Sequence, residues 1–572
     1  MSTNSTNVTN VEITKRHFGP YLSNLPLKLI TPLVENLPGL ASLLFWNSGL
    51  GALRKKRFKA DLTNTPIPLP KELFGIEEPK EIVGLEIFNE KDELKANHSG
   101  FLSSFDFRKA YLSKKLTPLQ VCETLIGKID SSFKCNPQLN GFCKYKRNDI
   151  IAQATASTAR YEQNKSLGLL DGVPVAIKDQ VDIQGYETRS GTKFLNVGKP
   201  AEKDAISVQK LRDQGAIILG KTCMHEIGFD ITNNNPHVLT PRNPYNINYY
   251  CGGSSGGSAG VIASGLCPIT IGCDGGGSIR IPSSFCGIYG LKTTHGRISE
   301  SGAFTSPSSV GVVGPMTSTA DDLALTYYVI AGKDVKDKKT LHQPTPTLYG
   351  LYSTNDLSDL KIGIFSAWNN QVADPAITTA IKTFIDKFKL RGAEIIEIDI
   401  PGLEEVRLGH VTTIGTEHYL YRKDYKSHLF TCPNRVTLAV TKNFTASDYI
   451  QAQQVRTIAM HDLSETFSHV NLILTPATAI TAPKIYPKAL KYGEINTIVT
   501  SDSMRFAQLA NFTGIPAVSV PAGYDSNNLP IGLQFMAKWY DEELLLRVAK
   551  VSEEILGSNR KIPEEFWFGD LL

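Results

Sequence analysis

The sequence predicts an α/β fold, and two observations carry that prediction. From residue 105 onward, short apolar runs bounded by turn residues alternate with stretches of helical periodicity. No internal repeat with a period of about 20–50 residues is present, so the pattern describes one large unit rather than a solenoid. Composition agrees with this. The chain has 572 residues, 41% of them hydrophobic and 20% charged, which excludes wholesale disorder, a collagen and a multispanning membrane protein. Lys+Arg 60 against Asp+Glu 56 leaves a net charge of +4, too balanced to argue for a nucleic-acid partner. Nine cysteines without a CxxC pair argue against a disulfide scaffold and a zinc ribbon, and favour a reducing compartment.

The opening MSTNSTNVTNVEITKR is polar and reads as a frayed tail. It lacks the basic start and apolar core of a secretory signal. The protein is therefore expected to be intracellular and not secreted, with the Asn-X-Ser/Thr triplets at Asn4 and Asn7 silent. Residues 36–53 carry no charge, and Arg54, Lys55, Lys56 and Arg57 follow them directly. Three readings stand side by side. The length is near the lower limit for a membrane span, but Asn36, Pro38, Asn47 and three glycines weaken it. A segment lying in a membrane interface would set the basic run against anionic headgroups. A helical hairpin would pack on the body or on a second copy of the chain. Residues 61–100 are rich in Pro and Glu and are expected to form an extended arm. The chain is thus divided into an N-terminal extension over 1–100 and one regular domain over 101–572.

Within that domain, LTPLQVCETLIGKIDSSF is expected to be a helix with Thr117 as N-cap. DGVPVAIKD (171–179) is a short buried strand. DAISVQKLRDQG (204–215) is a helix closed by Gly215, and AIIL (216–219) is the strand after it. Strand, helix and strand recur over 361–400, and NLILTPAT (471–478) and AVSVPAGY (517–524) supply later strands.

Two formal motif matches fail on context. Gly215-AIIL-Gly220-Lys221-Thr222 fits a phosphate loop, but its four central residues are themselves the expected strand. Gly252-Gly253-Ser254-Ser255-Gly256 fits a nucleophile elbow, but NPYNINYYC is a poor central strand to precede it. Downstream histidines (His295, His410, His418, His428, His461, His469) keep a triad base available for that reading. A stronger signal is the pair of Gly/Ser runs CGGSSGGSAG (251–260) and GCDGGGSIR (272–280), separated by the apolar VIASGLCPITI. Glycines let backbone N–H groups converge on an anion, and Ser278 ends the run of Gly275, Gly276 and Gly277. A serine so placed can attack a carbonyl while its neighbours hold the oxyanion. Taken singly, each run also reads as a close-packed turn. A serine nucleophile needs a base. Lys178, at the end of VPVAI, serves if burial lowers its pKa. The bland alternative is a strand-end lysine in solvent.

GVPVAIKD, GGSSGGSA and DGGGSIRIPSSFCGIYGLKTTHGR, in that order, resemble the amidase signature family. Ser254 and Ser278 stand 24 residues apart, the family spacing. GAIILGKTCMHEIGF, RNPYN, VGPMTSTADDLAL and GIPAVSVPAGYDSNNLPIGLQFMA extend the resemblance over about 110–555. It implies a large twisted mixed β-sheet flanked by α-helices. It also implies a Ser–cis-Ser–Lys triad with Ser278 as nucleophile, Lys178 as base and Ser254, after a cis peptide from Gly253, as proton shuttle. Ser255 is the rival shuttle, and the spacing decides against it. The oxyanion hole falls on the N–H groups of Gly275, Gly276, Gly277 and Ser278, with Asp274 and Arg280 holding the loop. Most members have DTGGS where this chain has Asp274-Gly275-Gly276-Gly277-Ser278. The extra glycine resembles the fatty acid amide hydrolases of plants and amoebae, as does TASDYIQAQQVR (445–456). In such relatives Ile227, Gly228 and Phe229 match the acyl-site lining.

The expected activity is amide hydrolysis through an acyl-enzyme, without metal or cofactor, on a long-chain N-acylethanolamine. Residues 21–57 are the expected membrane contact of a cytoplasmic or peripheral endomembrane enzyme, and a homodimer through the N-terminal helices follows from relatives. Within the family, the alternatives are a short-chain amidase and the amidase component of a glutamine-dependent tRNA amidotransferase. Outside it, they are an α/β-hydrolase esterase and a non-catalytic binding protein.

Overall fold

Eleven strands form the central sheet of the computed structural model, which describes residues 21–88, 100–303 and 308–572. In chain order they are β1 (Phe142–Tyr145), β2 (Pro174–Lys178), β3 (Ile217–Thr222), β4 (Ile269–Asp274), β5 (Tyr289–Lys292), β6 (Val312–Thr317), β7 (Lys361–Ile364), β8 (Glu394–Glu397), β9 (Leu472–Pro476), β10 (Ala517–Tyr524) and β11 (Pro530–Ala537). Their order across the sheet is β8-β7-β9-β11-β10-β5-β6-β4-β2-β3-β1. Pairing is parallel at β8–β7–β9 and at β4–β2–β3, and antiparallel elsewhere. The fold is α/β with a mixed sheet, as expected. VIASGLCPITI, read from the sequence as one apolar segment, divides into a helix end, a turn at Gly265 and β4.

Successive strand residues feed two different cores because side chains alternate across a strand. Leu472 and Leu474 join one apolar cluster and Ile473 the other; Phe535 and Ala537 join the first and Met536 the second. Both faces are therefore covered, which is why these strands read as continuous apolar runs rather than alternating ones.

The helices that matter below are α1 (Asn24–Asn36), α2 (Leu40–Asn47), α3 (Pro118–Ser132), α4 (Gly256–Ala263), α5 (Arg280–Phe285), α6 (Leu403–Arg422), α7 (Cys432–Thr441), α8 (Ala446–His469) and α9 (Glu542–Leu556). α3 starts where the sequence predicts. Thr117 accepts the Gln120 N–H and Gln120 accepts the Thr117 N–H, a reciprocal cap.

α1 and α2 meet at 107°, and no single described helix is long and apolar enough to cross a membrane. The pair packs on the body. Leu27 and Val34 bury against Val436 of α7, Arg435 pairs with Glu35, and Arg54 grips Asp448 with two bonds of 2.7 Å. The hairpin reading thus describes how the inner face is used, while Leu25, Leu29, Leu33, Leu43 and Trp46 stay exposed on the outer face. Beyond it, residues 61–76 run along α8 as an arm. Arg456 donates to the carbonyls of Thr63 and Asn64, and Phe74 packs edge-on against Trp539. The polar tail with Asn4 and Asn7, and part of the Pro/Glu-rich segment, lie outside the described residues.

Candidate active site

Two neighbouring parallel strands and the turns beyond them build the site. β2 is buried at every residue and presents Lys178 at its C-terminal end. β4 runs parallel beside it, with Val175 level with Ile269 and Ile177 level with Ile271. Both strands therefore end on one edge of the sheet, where parallel α/β sheets open their crevices. Gly275–Gly277 carry the chain out of β4, and Ser278 stands before α5. Ser254 follows a cis Gly253–Ser254 peptide and precedes α4.

Lys178 is 0% exposed, Ser254 1% and Ser278 7%, so accessibility rises from the lysine to Ser278. Lys178 Nζ lies 2.8 Å from Ser254 Oγ and donates to the Cys273 carbonyl at 3.2 Å. Burial disfavours its ammonium form and brings its pKa down to about 8, although Cys273 and Asp274 pull the other way. A solvent-exposed strand-end lysine is thus excluded. Ser255 is engaged elsewhere: its hydroxyl donates to the Cys273 carbonyl at 3.3 Å and its N–H to the Ser278 carbonyl at 3.2 Å.

The loop after β4 is held by a buried ion pair. Asp274 accepts N–H bonds from Gly277 at 2.7 Å and Ile279 at 3.0 Å. Arg280 donates to both oxygens of the same carboxylate at 3.1 Å, and to Gln534 at 2.6 Å. Asn511 donates to Asp274 at 2.9 Å. Burial by itself raises the Asp274 pKa; the Arg280 charge and the bonds from Arg280, Asn511 and Gly277 outweigh it and hold the carboxyl well below the usual range. One consequence departs from expectation. The Gly277 N–H, among the four expected oxyanion donors, is committed to Asp274. Those of Gly275, Gly276 and Ser278 have no acceptor among the described residues.

Ile227, Gly228 and Phe229 border this edge. Glu226–Gly228 form a single tight turn with buried Ile227 at φ 54°. A Cβ on Gly228 would stand 3.4 Å from Ser254 Oγ, so the turn lies against the proposed shuttle. The Phe229 ring sits 4.2 Å from that of His418. What anchors the turn was missed in the sequence. Buried Glu226 accepts from the Thr431 N–H at 2.8 Å, the Thr431 hydroxyl at 2.7 Å and Asn434 at 2.9 Å, joining the turn to the start of α7.

The two discarded motifs have other roles. Asn246–Tyr250 pairs with Arg242–Asn243 in a separate two-stranded ribbon, so no central strand precedes Ser254. His410, one of the candidate elbow bases, has Nε2 2.8 Å from the Gly275 carbonyl and a buried Nδ1 without a partner among the described residues. A triad histidine needs an orienting acceptor at that second nitrogen. The phosphate-loop match is β3 itself, and its Lys221 donates to Thr188 Oγ1 at 2.9 Å. Among the described residues no group of three or more His, Cys, Asp or Glu side chains is placed to hold a metal ion.

Residues 120–546 match the Amidase family. The chain is 40% identical over 473 residues to a fatty acid amide hydrolase of Oryza sativa subsp. indica, covering 81% of this chain and 77% of that one. It is 37% identical over 575 residues to the fatty acid amide hydrolase of Arabidopsis thaliana, covering 95% and 94%. Among solved structures, one from a vestigial protein complex tied to the evolutionary origins of an s-triazine catabolic enzyme aligns with a TM-score of 0.73 at 28% identity, covering 79% of this chain and 98% of that chain. On the match to the family over most of its length, and on these relatives, the chain belongs to the amidase signature family and is an amide-hydrolysing enzyme.

Proposed function

We propose that this enzyme hydrolyses fatty acid amides, foremost long-chain N-acylethanolamines, to a free fatty acid and an amine through an acyl-enzyme on Ser278. The observation that carries the chemistry is the 2.8 Å approach of wholly buried Lys178 to Ser254. Neutral Lys178 takes the Ser254 proton while Ser254 takes that of Ser278. The Ser278 oxygen bonds to the acyl carbon, and the N–H groups of Gly275, Gly276 and Ser278 hold the oxyanion. The proton returns through Ser254 to the amide nitrogen, the C–N bond breaks and the amine leaves neutral, which avoids an amide anion. Water then attacks the ester through the same relay, and the acid departs with Ser278 restored.

The substrate class draws on the rice and Arabidopsis relatives, and on the Arabidopsis match extending over 95% of this chain. Ile227, Gly228 and Phe229 are the proposed acyl wall, supported by the position of Gly228 beside Ser254. Residues 21–57 are the proposed membrane contact. Leu25, Leu29 and Leu33 recur every fourth residue on the exposed face of α1, with Leu43 and Trp46 on α2, and Lys55 and Arg57 are exposed nearby. A second copy of the chain is the competing occupant of that face. All nine cysteines are unpaired, which suits an intracellular enzyme.

The test is kcat/KM across amides from acetamide to N-acylethanolamines of increasing chain length, with Lys178→Ala as control. Each buried methylene contributes up to about 0.8 kcal/mol, or about fourfold. A steep rise with length supports a lipid amide. A flat profile, or a preference for acetamide or glutamine, sinks the lipid assignment and keeps the amidase.

A further inference from the structure

We propose that His410 is the positioning residue of the oxyanion loop: its Nε2–H holds the Gly275 carbonyl and thereby aims the Gly276 N–H. The inference deepens the reading above, since it takes that N–H as an oxyanion donor.

The geometry rests on one peptide plane. The Gly275–Gly276 bond is trans, because the cis bonds among the described residues are Leu69–Pro70, Asn136–Pro137 and Gly253–Ser254. In a trans peptide the C=O and the N–H of one plane point in opposite directions. His410 Nε2 lies 2.8 Å from the Gly275 oxygen, so the Gly276 N–H of that plane points away from the histidine. The carbonyl only accepts, so Nε2 carries the proton. Burial keeps the ring neutral, with its pKa down to about 4, and the unprotonated Nδ1 has no partner among the described residues. The donor therefore persists across the working pH range.

Three consecutive glycines give this plane no preference of their own, because residues without a Cβ reach both signs of φ. An outside anchor is needed at each end of the run. Asp274 supplies one by accepting the Gly277 N–H at 2.7 Å. His410 supplies the other from α6, 135 residues away. The ring also lies flush against the loop. A Cβ on Gly276 would stand 3.1 Å from His410 Cε1 and 2.8 Å from Met504 Cε, so ring and methionine close the side of the loop that faces the body.

The experiment compares His410→Leu, which removes the donor at similar volume, with His410→Gln, whose amide N–H₂ can donate to the same carbonyl. Two rates are read: amide turnover, split into kcat and KM, and phosphonylation of Ser278 by a fluorophosphonate. In the second, an O–P bond forms, fluoride leaves and the Ser278 proton passes through Ser254 to Lys178. His410→Leu is expected to lower kcat by about 10²-fold, the low end for losing one oxyanion donor. KM should move less than about twofold, because ground-state binding does not use the oxyanion donors. The phosphonylation rate should fall with kcat, and His410→Gln should recover most of both at an unchanged melting temperature. Turnover in His410→Leu within about twofold of wild type overturns the inference, as does an equal loss in the Leu and Gln variants. Should His410→Leu not fold, His410→Met replaces it. If neither folds while Gln does, melting of the fold rather than aim of the loop is the histidine's role, and the inference falls. Wild-type enzyme that does not label on Ser278 instead refutes the triad reading, independently of His410.

Discussion

Raising the pH through 8 should switch this enzyme on along the titration of one buried lysine. Lys178 has its pKa brought from 10.5 down to about 8 by complete burial. At pH 7 about one molecule in eleven then carries the neutral base, against about one in three thousand for an unperturbed lysine, a gain of about 300-fold. Below pH 8, kcat/KM should rise about tenfold per pH unit and level off near pH 9. The assay is kcat/KM from pH 6 to 10 on an uncharged amide, with fluorophosphonate labelling in parallel, because that reaction has no leaving amine to protonate. Histidine does not mimic the result, since burial lowers His225 and His410 below 6.5. A flat profile between pH 6 and 9, an inflection at or below 6.5, or a limb still rising past 10 refutes the reasoning. Stability gives a second readout. Between about pH 8 and 10.5 the unfolded chain binds a proton that the folded chain does not. Stability therefore rises with pH across that window, and below it the lysine costs about 3 kcal/mol. Lys178→Met removes this cost and gives up the hydrogen bonds to Ser254 and Cys273, about 2 kcal/mol together. The variant should be inactive at every pH and more stable by about 1 kcal/mol at pH 7. A less stable variant contradicts the burial argument.

Three further outcomes are expected. Gly257→Ala should destabilise by about 3 kcal/mol or more, since its Cβ would stand 2.5 Å from the Cys223 N and O and the Gly141 O, all backbone; soluble yield and thermal unfolding read it. Asp274→Asn should cost about 3–5 kcal/mol, because it leaves the buried Arg280 guanidinium without its counter-ion. The Asp274 carboxyl is held below its ordinary 3.8, so the stability gap to wild type should stay constant from pH 7 to 5 and shrink once pH falls below that value. Leu29→Glu combined with Leu33→Glu should reduce sedimentation with anionic phospholipid vesicles while leaving turnover of a soluble short amide intact. Unchanged sedimentation argues against the membrane contact, and a halved solution mass assigns the face to a second copy instead.

Much of the fold was legible because burial on both faces writes itself locally, as unbroken apolar runs such as VPVAIK and ILTP between turn residues. The helix start at Thr117 was legible for a similar reason, since a cap is a three-residue interaction. The site was legible as motifs: Lys178, Ser254 and Ser278 each sit in a short run whose order and spacing are visible in one dimension. Their meeting was not visible. Lys178 ends β2 and Ser278 follows β4, and only the parallel pairing of those two strands brings them to one edge. The choice between adjacent Ser254 and Ser255 rested on spacing until the tertiary structure separated their partners. Gly277 reads like its neighbours, yet Asp274 has taken its N–H. Glu226 lies inside the run GAIILGKTCMHEIGF and His410 in a stretch with no motif, yet neither shows its partner along the chain, and each acquires its place only where a helix from the C-terminal half packs against the Gly-rich edge. Sequence thus determined what depends on neighbours along the chain, namely element type, capping and motif identity. Tertiary structure decided which donors remain open, which lysine loses its water and which side chain aims a glycine peptide, because each of these is a property of the surroundings that folding supplies.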